Sequence, residues 1–235
     1  MPQQEIRIDY FTDILCIWAH VSQARVDELK KQFGSQIRLH YHFIPVFGCV
    51  KNRIEEGWKE KGGYQGFNEH VQAVCKQFSH AEICADLWNI TQPATSLTSH
   101  HFLKSVQLLE AKAIISNKEE SRFNGNTLLE ETIWQVREAF FKDHKDVAKQ
   151  SVLMEIAEKL DLPVDQLLEQ MENGEALAAL FRDMELRDQY RLEGSPTYVL
   201  NNGRQKLYGN VGYKVIEANV REILTTPQES SASWC

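Results

Sequence analysis

The first 44 residues change hydrophobic period twice, and that alternation restricts the chain to a small group of folds. Residues 5 to 11, EIRIDYF, set Ile6, Ile8 and Tyr10 against Arg7, Asp9 and Phe11, the period of two that marks a strand. After Thr12 and Asp13 the spacing lengthens. Ala19, Val21, Ala24, Val26, Leu29 and Phe33 recur at mostly helical intervals, which predicts one helix from about Cys16 to Phe33, with Gly34 as its stop. IRLHYHFI, residues 37 to 44, then reads as a second strand. A single helix between two strands predicts a βαβ unit with parallel strands and a right-handed crossover.

Residues 51 to about 192 carry long helical periods and almost no strand signal. Ser96 or Ser99 is placed to cap a helix running through Leu108, and further helices are predicted over 127 to 142, 146 to 160, 163 to 172 and 175 to 191. Strands return in GSPTYVLNNGRQKLYGN (194 to 210). There Thr197 to Leu200 and Gln205 to Tyr208 flank Asn202-Gly203, a dipeptide that favours a two-residue type I′ hairpin turn. An amphipathic helix over 212 to 225 follows. The layout is βαβ, a helical block, then a hairpin and a helix, and it matches a thioredoxin fold split by a helical insertion. The expected organisation is α/β: residues 1–50 and 193–226 form the thioredoxin-like domain, 51–192 the all-helical insertion, and 227–235 a polar, Ser-rich tail.

A chain of 235 residues, 43% hydrophobic and 25% charged, can build a substantial core, so disorder is excluded as its main state. The net charge of −7 lacks the basic stripe that nucleic acid or an anionic membrane surface would need. No apolar run reaches the roughly 20 residues of a membrane span, and MPQQEIRIDYF has no signal-peptide pattern, so a cytoplasmic location is expected. The five cysteines (Cys16, Cys49, Cys75, Cys84, Cys235) are widely spread and contain no CxxC pair. That argues against a disulfide framework and against structural zinc.

Cys16 stands where the first strand gives way to the first helix. Unpaired amides and the helix dipole favour a thiolate at such a point, and a lowered pKa would make it a nucleophile. A buried, inert thiol is the competing reading. The second element is Gly194-Ser195-Pro196-Thr197, directly before a strand. Residue type alone favours a trans Ser195-Pro196 bond, whereas a cis bond would leave the Ser195 backbone open to an extended substrate.

DYFTDILCIWAH, EGSPTYVLNNG and the stretch REAFFKDHKDV with VLMEIAEKLDLP (137 to 162) resemble the DsbA-like thioredoxin superfamily, in particular its FrnE-like branch of predicted dithiol-disulfide isomerases. The resemblance covers nearly the whole chain. It implies a strand-to-helix redox motif of CPWC type and a cis proline packed against it. Cys16 then matches the attacking cysteine, Trp18 the intervening tryptophan, and Pro196 the cis proline, with Ser195 and Thr197 on either side as substrate-binding positions. Two positions depart from the family pattern: Ile17 stands where the proline is usual, and Ala19 where the resolving cysteine is usual. A CxxA site cannot release its own mixed disulfide, so glutathione or another thiol must do so. Kappa-class glutathione transferases and 2-hydroxychromene-2-carboxylate isomerases are similar in using one nucleophile-site residue beside bound glutathione.

Three functions follow as alternatives. The first is thiol-disulfide exchange through Cys16, the second glutathione-dependent transfer or isomerisation, and the third a redox-inactive peptide-binding module. No tightly bound cofactor is expected, with glutathione acting as a co-substrate. The nine residues from Pro227 to Cys235 could span about 30 Å, against a radius of gyration of roughly 17 Å, so Cys235 could act as a resolving thiol within the chain or across a homodimer. The competing reading leaves it as a terminal residue without a role.

His20, four positions after Cys16, shares its helical face and is a candidate for stabilising the thiolate or a bound thiol; surface packing is the alternative. Asn210 and Val211 open the last helix, where exposed amides could take a carboxylate such as that of glutathione. Cys49, Cys75 and Cys84 read as core residues. His40 and His42 share a face of the second strand, but no ligand-spaced Asp, Glu or Cys accompanies them, so no metal is expected. His100-His101 read as packing or solvent-facing residues. Gly62-Gly63 lacks a phosphate-loop context.

Overall fold

The computed structural model describes residues 5–225. β1 (Ile6–Thr12) pairs in parallel with β2 (Ile37–Phe43), Ile6 opposite Ile37 and Thr12 opposite Phe43. On its other side β1 runs antiparallel to β3 (Thr197–Leu200), Tyr10 opposite Tyr198, and β4 (Gln205–Tyr208) completes the sheet in the order β2-β1-β3-β4. A strand in the middle of a covered sheet has to be apolar on both faces. Ile8, Tyr10 and Phe11 are all fully enclosed.

The segment predicted as one helix is two. α1 (Ile17–Val21) and α2 (Gln23–Phe33) are separated at Ser22. The Ser22 hydroxyl donates back to the Ala19 carbonyl at 3.1 Å and meets the Tyr10 hydroxyl at 3.0 Å. Such back-bonding competes with the helical ladder and bends it. Gly34 ends α2 with φ +49°, as its position suggested.

Between the two halves of the sheet lie α3 (Gly63–Cys75), α4 (Leu87–Ile90), α5 (Leu97–Ala111), α6 (Leu128–Phe141), α7 (Gln150–Lys159), α8 (Val164–Glu172) and α9 (Glu175–Gln189). α6 starts at a reciprocal cap: Thr127 accepts from the Glu130 amide, and the Glu130 carboxylate accepts from the Thr127 amide. α5 begins after Ser96, but the Ser96 side chain is used elsewhere. The hairpin connection is longer than the two-residue turn expected, because pairing stops at Leu200 opposite Gln205. Asn201, Asn202 and Gly203 all take positive φ, and the Tyr190 ring lies so close to Gly203 that a β-carbon there would clash. α10 (Tyr213–Thr225) follows.

One continuous apolar cluster runs from Ile6 to Ile223, joining the sheet to the helices inserted into it. α9 is fixed to the sheet by charge as well. His42 lies between Asp183, 2.8 Å from Nδ1, and Asp9, 2.8 Å from Nε2; Lys104 Nζ reaches Asp183 at 2.6 Å, and the Phe43 amide donates to the same carboxylate. Burial alone would lower the His42 pKa, but two carboxylates overcome it and hold the imidazole above its ordinary value. Burial would also raise Asp9 and Asp183; their cationic partners hold both below the usual carboxylate range. Cys75 is buried and Cys84 half-buried, in line with the core reading, whereas Cys49 is exposed on the segment after β2. Among the described residues, no helix is long and apolar enough to cross a membrane.

Candidate active site

The end of β1 cannot continue as a strand because Asp13 turns the chain. Its Oδ1 accepts from the Leu15 amide two residues on, an Asx turn, and its Oδ2 accepts from the Phe47 amide at 2.8 Å and the Ser96 hydroxyl at 2.9 Å. The carboxylate is wholly enclosed, and these three donors compensate it. Nearby, the Ile14 amide donates to His100 Nε2 at 3.2 Å, which places the imidazole proton on Nδ1. The turn is therefore fastened to the segment after β2 and to the first turn of α5.

Cys16 emerges from this turn as the N-cap of α1, with its amide donating to the Asp13 carbonyl at 3.2 Å. The third support is Ser195, whose hydroxyl accepts from the Asp13 amide at 2.8 Å. The Ser195-Pro196 bond is cis. The Cys16 thiol donates to the Ser195 carbonyl at 3.2 Å, so residues 179 positions apart in the chain meet at the sulfur. Thr197 braces the loop through its hydroxyl, which donates to the Gly194 carbonyl at 2.6 Å, and the Gly209 amide donates to the Pro196 carbonyl.

The electrostatics differ from the sequence expectation. Burial pushes the Cys16 thiol up, and Asp13 adds to the rise. The Ser195 side chain and the amides of Trp18 and Ala19 pull the other way, which is the helix-start effect anticipated, but they do not outweigh burial. Cys16 is 6% exposed and Ala19, one turn along, is fully enclosed. The raised pKa favours the protonated thiol as a hydrogen-bond donor at neutral pH.

Trp18 is half-buried and meets His70 edge-on at 6.5 Å; His70 leans on Trp58 at 5.1 Å, and Trp58 on Phe67 at 5.0 Å. An aromatic wall thus runs from α1 to α3. His20 turns elsewhere. It is 3% exposed and stacked between Trp134 and Phe141, and burial together with Arg137 lowers its pKa to about 3. Its backbone amide donates to the Cys16 carbonyl at 3.0 Å, but its described ring contacts are with Trp134 and Phe141 and not with the Cys16 sulfur. Asn210 Oδ1 accepts from Arg25 at 2.6 Å, and the Val211 amide donates to the Gly209 carbonyl, so that amide is already used. Cys235 lies outside the described residues.

The structure brings Cys16 and Ser195 into contact, places the Thr197 brace beside them, and adds groups that sequence reading assigned another role or none: Ser96, read as a helix cap, His100, read as packing or solvent-facing, and Asp13 and Arg137. Arg137 is fully enclosed and donates to the Ala19 carbonyl, Gln23 Oε1 and Thr12 Oγ1, tying α6 to the end of α1 and to β1. Asp13 carried a legible signal, an Asp two positions before Leu15 at a strand end. Arg137 carried none, since its partners are more than a hundred positions away. Among the described residues, no group of three or more His, Cys, Asp or Glu side chains is placed to hold a metal.

No curated protein matches the sequence. The chain is similar in structure to a probable DsbA oxidoreductase from Streptomyces coelicolor, at 14% identity and TM-score 0.68, covering 98% of this chain and 94% of that one. It is also similar to the cytosolic disulfide reductase DsbM from Pseudomonas aeruginosa, at 17% identity and TM-score 0.60, covering 92% and 98%. A 2-hydroxychromene-2-carboxylate isomerase aligns at 12% identity and TM-score 0.61, covering 96% and 100%. These likenesses show the fold, and the family model for the DSBA-like thioredoxin domain matches residues 7–221. With that match across most of its length, the chain belongs to the DSBA-like thioredoxin domain family.

Proposed function

We propose that the protein is a thiol-disulfide oxidoreductase that works through Cys16 alone and relies on glutathione to complete each cycle. The observation that carries this reading is the contact of the Cys16 thiol with Ser195 beside the cis proline, with Ala19 where a second cysteine would stand. The Cys16 sulfur, once deprotonated, attacks the glutathione sulfur of a mixed disulfide; the S–S bond breaks and the substrate leaves as a thiolate. A glutathione thiolate then attacks the Cys16–glutathione disulfide, which gives oxidised glutathione and restores Cys16. In sum the substrate cysteine is released as a thiol, one free glutathione is consumed, and it leaves as a disulfide with the glutathione that the substrate carried. A high thiol pKa lowers the thiolate fraction but raises its intrinsic nucleophilicity.

A reducing compartment such as the cytoplasm suits this cycle, and one structural relative is described as a cytosolic disulfide reductase with glutathione. The test is turnover of a glutathionylated peptide in the presence of glutathione. Wild type turns over and Cys16→Ser does not; equal turnover by both would overturn the reading.

One observation favours a second reading. A neutral thiol that donates a hydrogen bond is suited to holding a bound glutathione thiolate, as a transferase or isomerase would require. On that reading Cys16→Ser keeps conjugation of glutathione to an electrophile, because serine retains the donor.

A further inference from the structure

The turn that carries Cys16 is bracketed by two residues, and one side chain from the helical block holds both. Thr12 closes β1 four residues before Cys16, and Ala19 lies in α1 three residues after it. Arg137 reaches each of them from α6. Its Nη2 donates to Thr12 Oγ1 at 2.6 Å and its Nη1 to the Ala19 carbonyl at 3.2 Å, across 125 and 118 positions of sequence. The Ser22 hydroxyl shares that carbonyl at 3.1 Å, and Gln23 Oε1 takes a further Nη1 bond at 3.2 Å. A guanidinium is planar and its donors form a rigid fork, so the two ends of the bracket are held at one separation. Between them the backbone turns at Asp13 and enters α1, where the His20 amide donates to the Cys16 carbonyl at 3.0 Å.

The second, independent observation is what this arrangement costs. Arg137 is fully enclosed, its Nε lacks a hydrogen-bond partner, and its described bonds all end on neutral oxygens. A buried charge with no carboxylate bonded to it is expensive, and an apolar side chain of similar volume often packs as well or better. Holding α6 against the sheet therefore does not account for a guanidinium. Fixing Thr12 relative to Ala19 does, because no apolar side chain can grip two oxygens. That separation sets how the start of α1 meets the sulfur, since the amides of Trp18 and Ala19 are the ones directed at Cys16.

We propose that Arg137 is a positioning residue for Cys16, gripping Thr12 and Ala19 so that the start of α1 stays seated against the sulfur. The role rests on the reading of Cys16 as the reacting thiol, and alkylation, which needs neither glutathione nor a disulfide, tests it apart from turnover. Iodoacetamide rates at Cys16 are followed against pH by peptide mapping of the full chain, on protein that circular dichroism shows to be folded. Arg137→Met is expected to slow alkylation at pH 7 at least about threefold and to move the pH–rate profile upward. Thr12→Val removes one grip and leaves the guanidinium, so it decides the matter if Arg137→Met does not fold, and slowing there reads position and not lost charge. It is expected to slow alkylation about twofold or more, with the profile moved the same way. Asp13 and Tyr10, whose charges bear on Cys16, stay in every variant. Thr12→Ser, which keeps the hydroxyl, and Gln23→Ala, which removes the acceptor outside the bracket, are expected to alkylate at the wild-type rate. An unchanged or faster rate in folded Arg137→Met or Thr12→Val, slowing in Thr12→Ser equal to that in Thr12→Val, or the same slowing in Gln23→Ala would overturn the proposal.

Discussion

The residues of β1 point alternately to two sides, and buried ionisable groups are handled differently on each. Towards α9, Asp9 and its neighbours form a closed set in which His42 and Lys104 answer Asp9 and Asp183 at 2.6 to 2.8 Å. Towards α1 and α6, Arg137 is enclosed with only neutral acceptors described, and Cys16 is held protonated against a carbonyl. The first arrangement spends its polarity on holding an inserted helix in register. The second leaves a buried guanidinium with neutral acceptors at the far end of α1 from the sulfur, and a protonated thiol at its start.

Breaking the charge-matched side has the largest expected effect. Asp183→Asn leaves His42 and Lys104 short of their shared carboxylate and is expected to destabilise the fold by about 3–5 kcal/mol, read from denaturant midpoints. The same cluster shapes stability against pH. His42 is raised, so its contribution is full below the ordinary histidine value of 6.5 and is lost as pH climbs through the higher folded value. Asp9 and Asp183 are lowered, so theirs is present above the ordinary carboxylate value of 3.8 and is lost as pH falls through the folded values. Asp183→Asn should flatten both limbs of the profile; an unchanged profile would show that the cluster does not govern them.

On the other side, Asp13→Asn is expected to cost about 1–3 kcal/mol through the mismatch with its three donors. It should also speed alkylation of Cys16 at neutral pH, because one cause of the raised thiol pKa is gone. A variant that is destabilised but alkylates at the wild-type rate would place Asp13 in a structural role only. A smaller loss, about 1 kcal/mol, is expected for Thr127→Ala, which removes the cap of α6 and should leave Cys16 alkylation unchanged. The mildest test is an order of labelling. With limiting iodoacetamide near pH 7, peptide mapping should find exposed Cys49 modified before Cys16, and the Cys16 rate should still be rising above pH 9.

Much of the scaffold was readable from local pattern. Thr197 to Leu200 and Gln205 to Tyr208 are strands with the bounds their alternation gave, and Thr127 begins a helix as expected. Local pattern failed where a side chain had a distant engagement. Ser96 precedes α5 but its hydroxyl goes to Asp13, 83 positions back, and Ser22 interrupts a helical stripe because Tyr10 and Ala19 compete for its hydroxyl. His42 looked like a residue without acidic neighbours, since Asp183 is 141 positions away. At the site, position correctly suggested the start of a helix for Cys16. Its protonation depended on burial and on Asp13, which outweigh the opposing bond to Ser195, and no spacing within CIWA encodes that.

The bond between the Asp13 amide and the Ser195 hydroxyl spans 182 positions, and it carries a consequence for the nascent chain. Cys16 leaves the ribosome long before the loop that covers it. At about 5–20 residues per second the interval is roughly ten to forty seconds, during which the thiol has no carbonyl to bond and no enclosure raising its pKa. Contacts of such long sequence separation also close slowly once the chain is free. The sulfur is therefore most open to glutathione and to stray oxidation before the protein is finished, and completion of the C-terminal hairpin is the step that brings it under control.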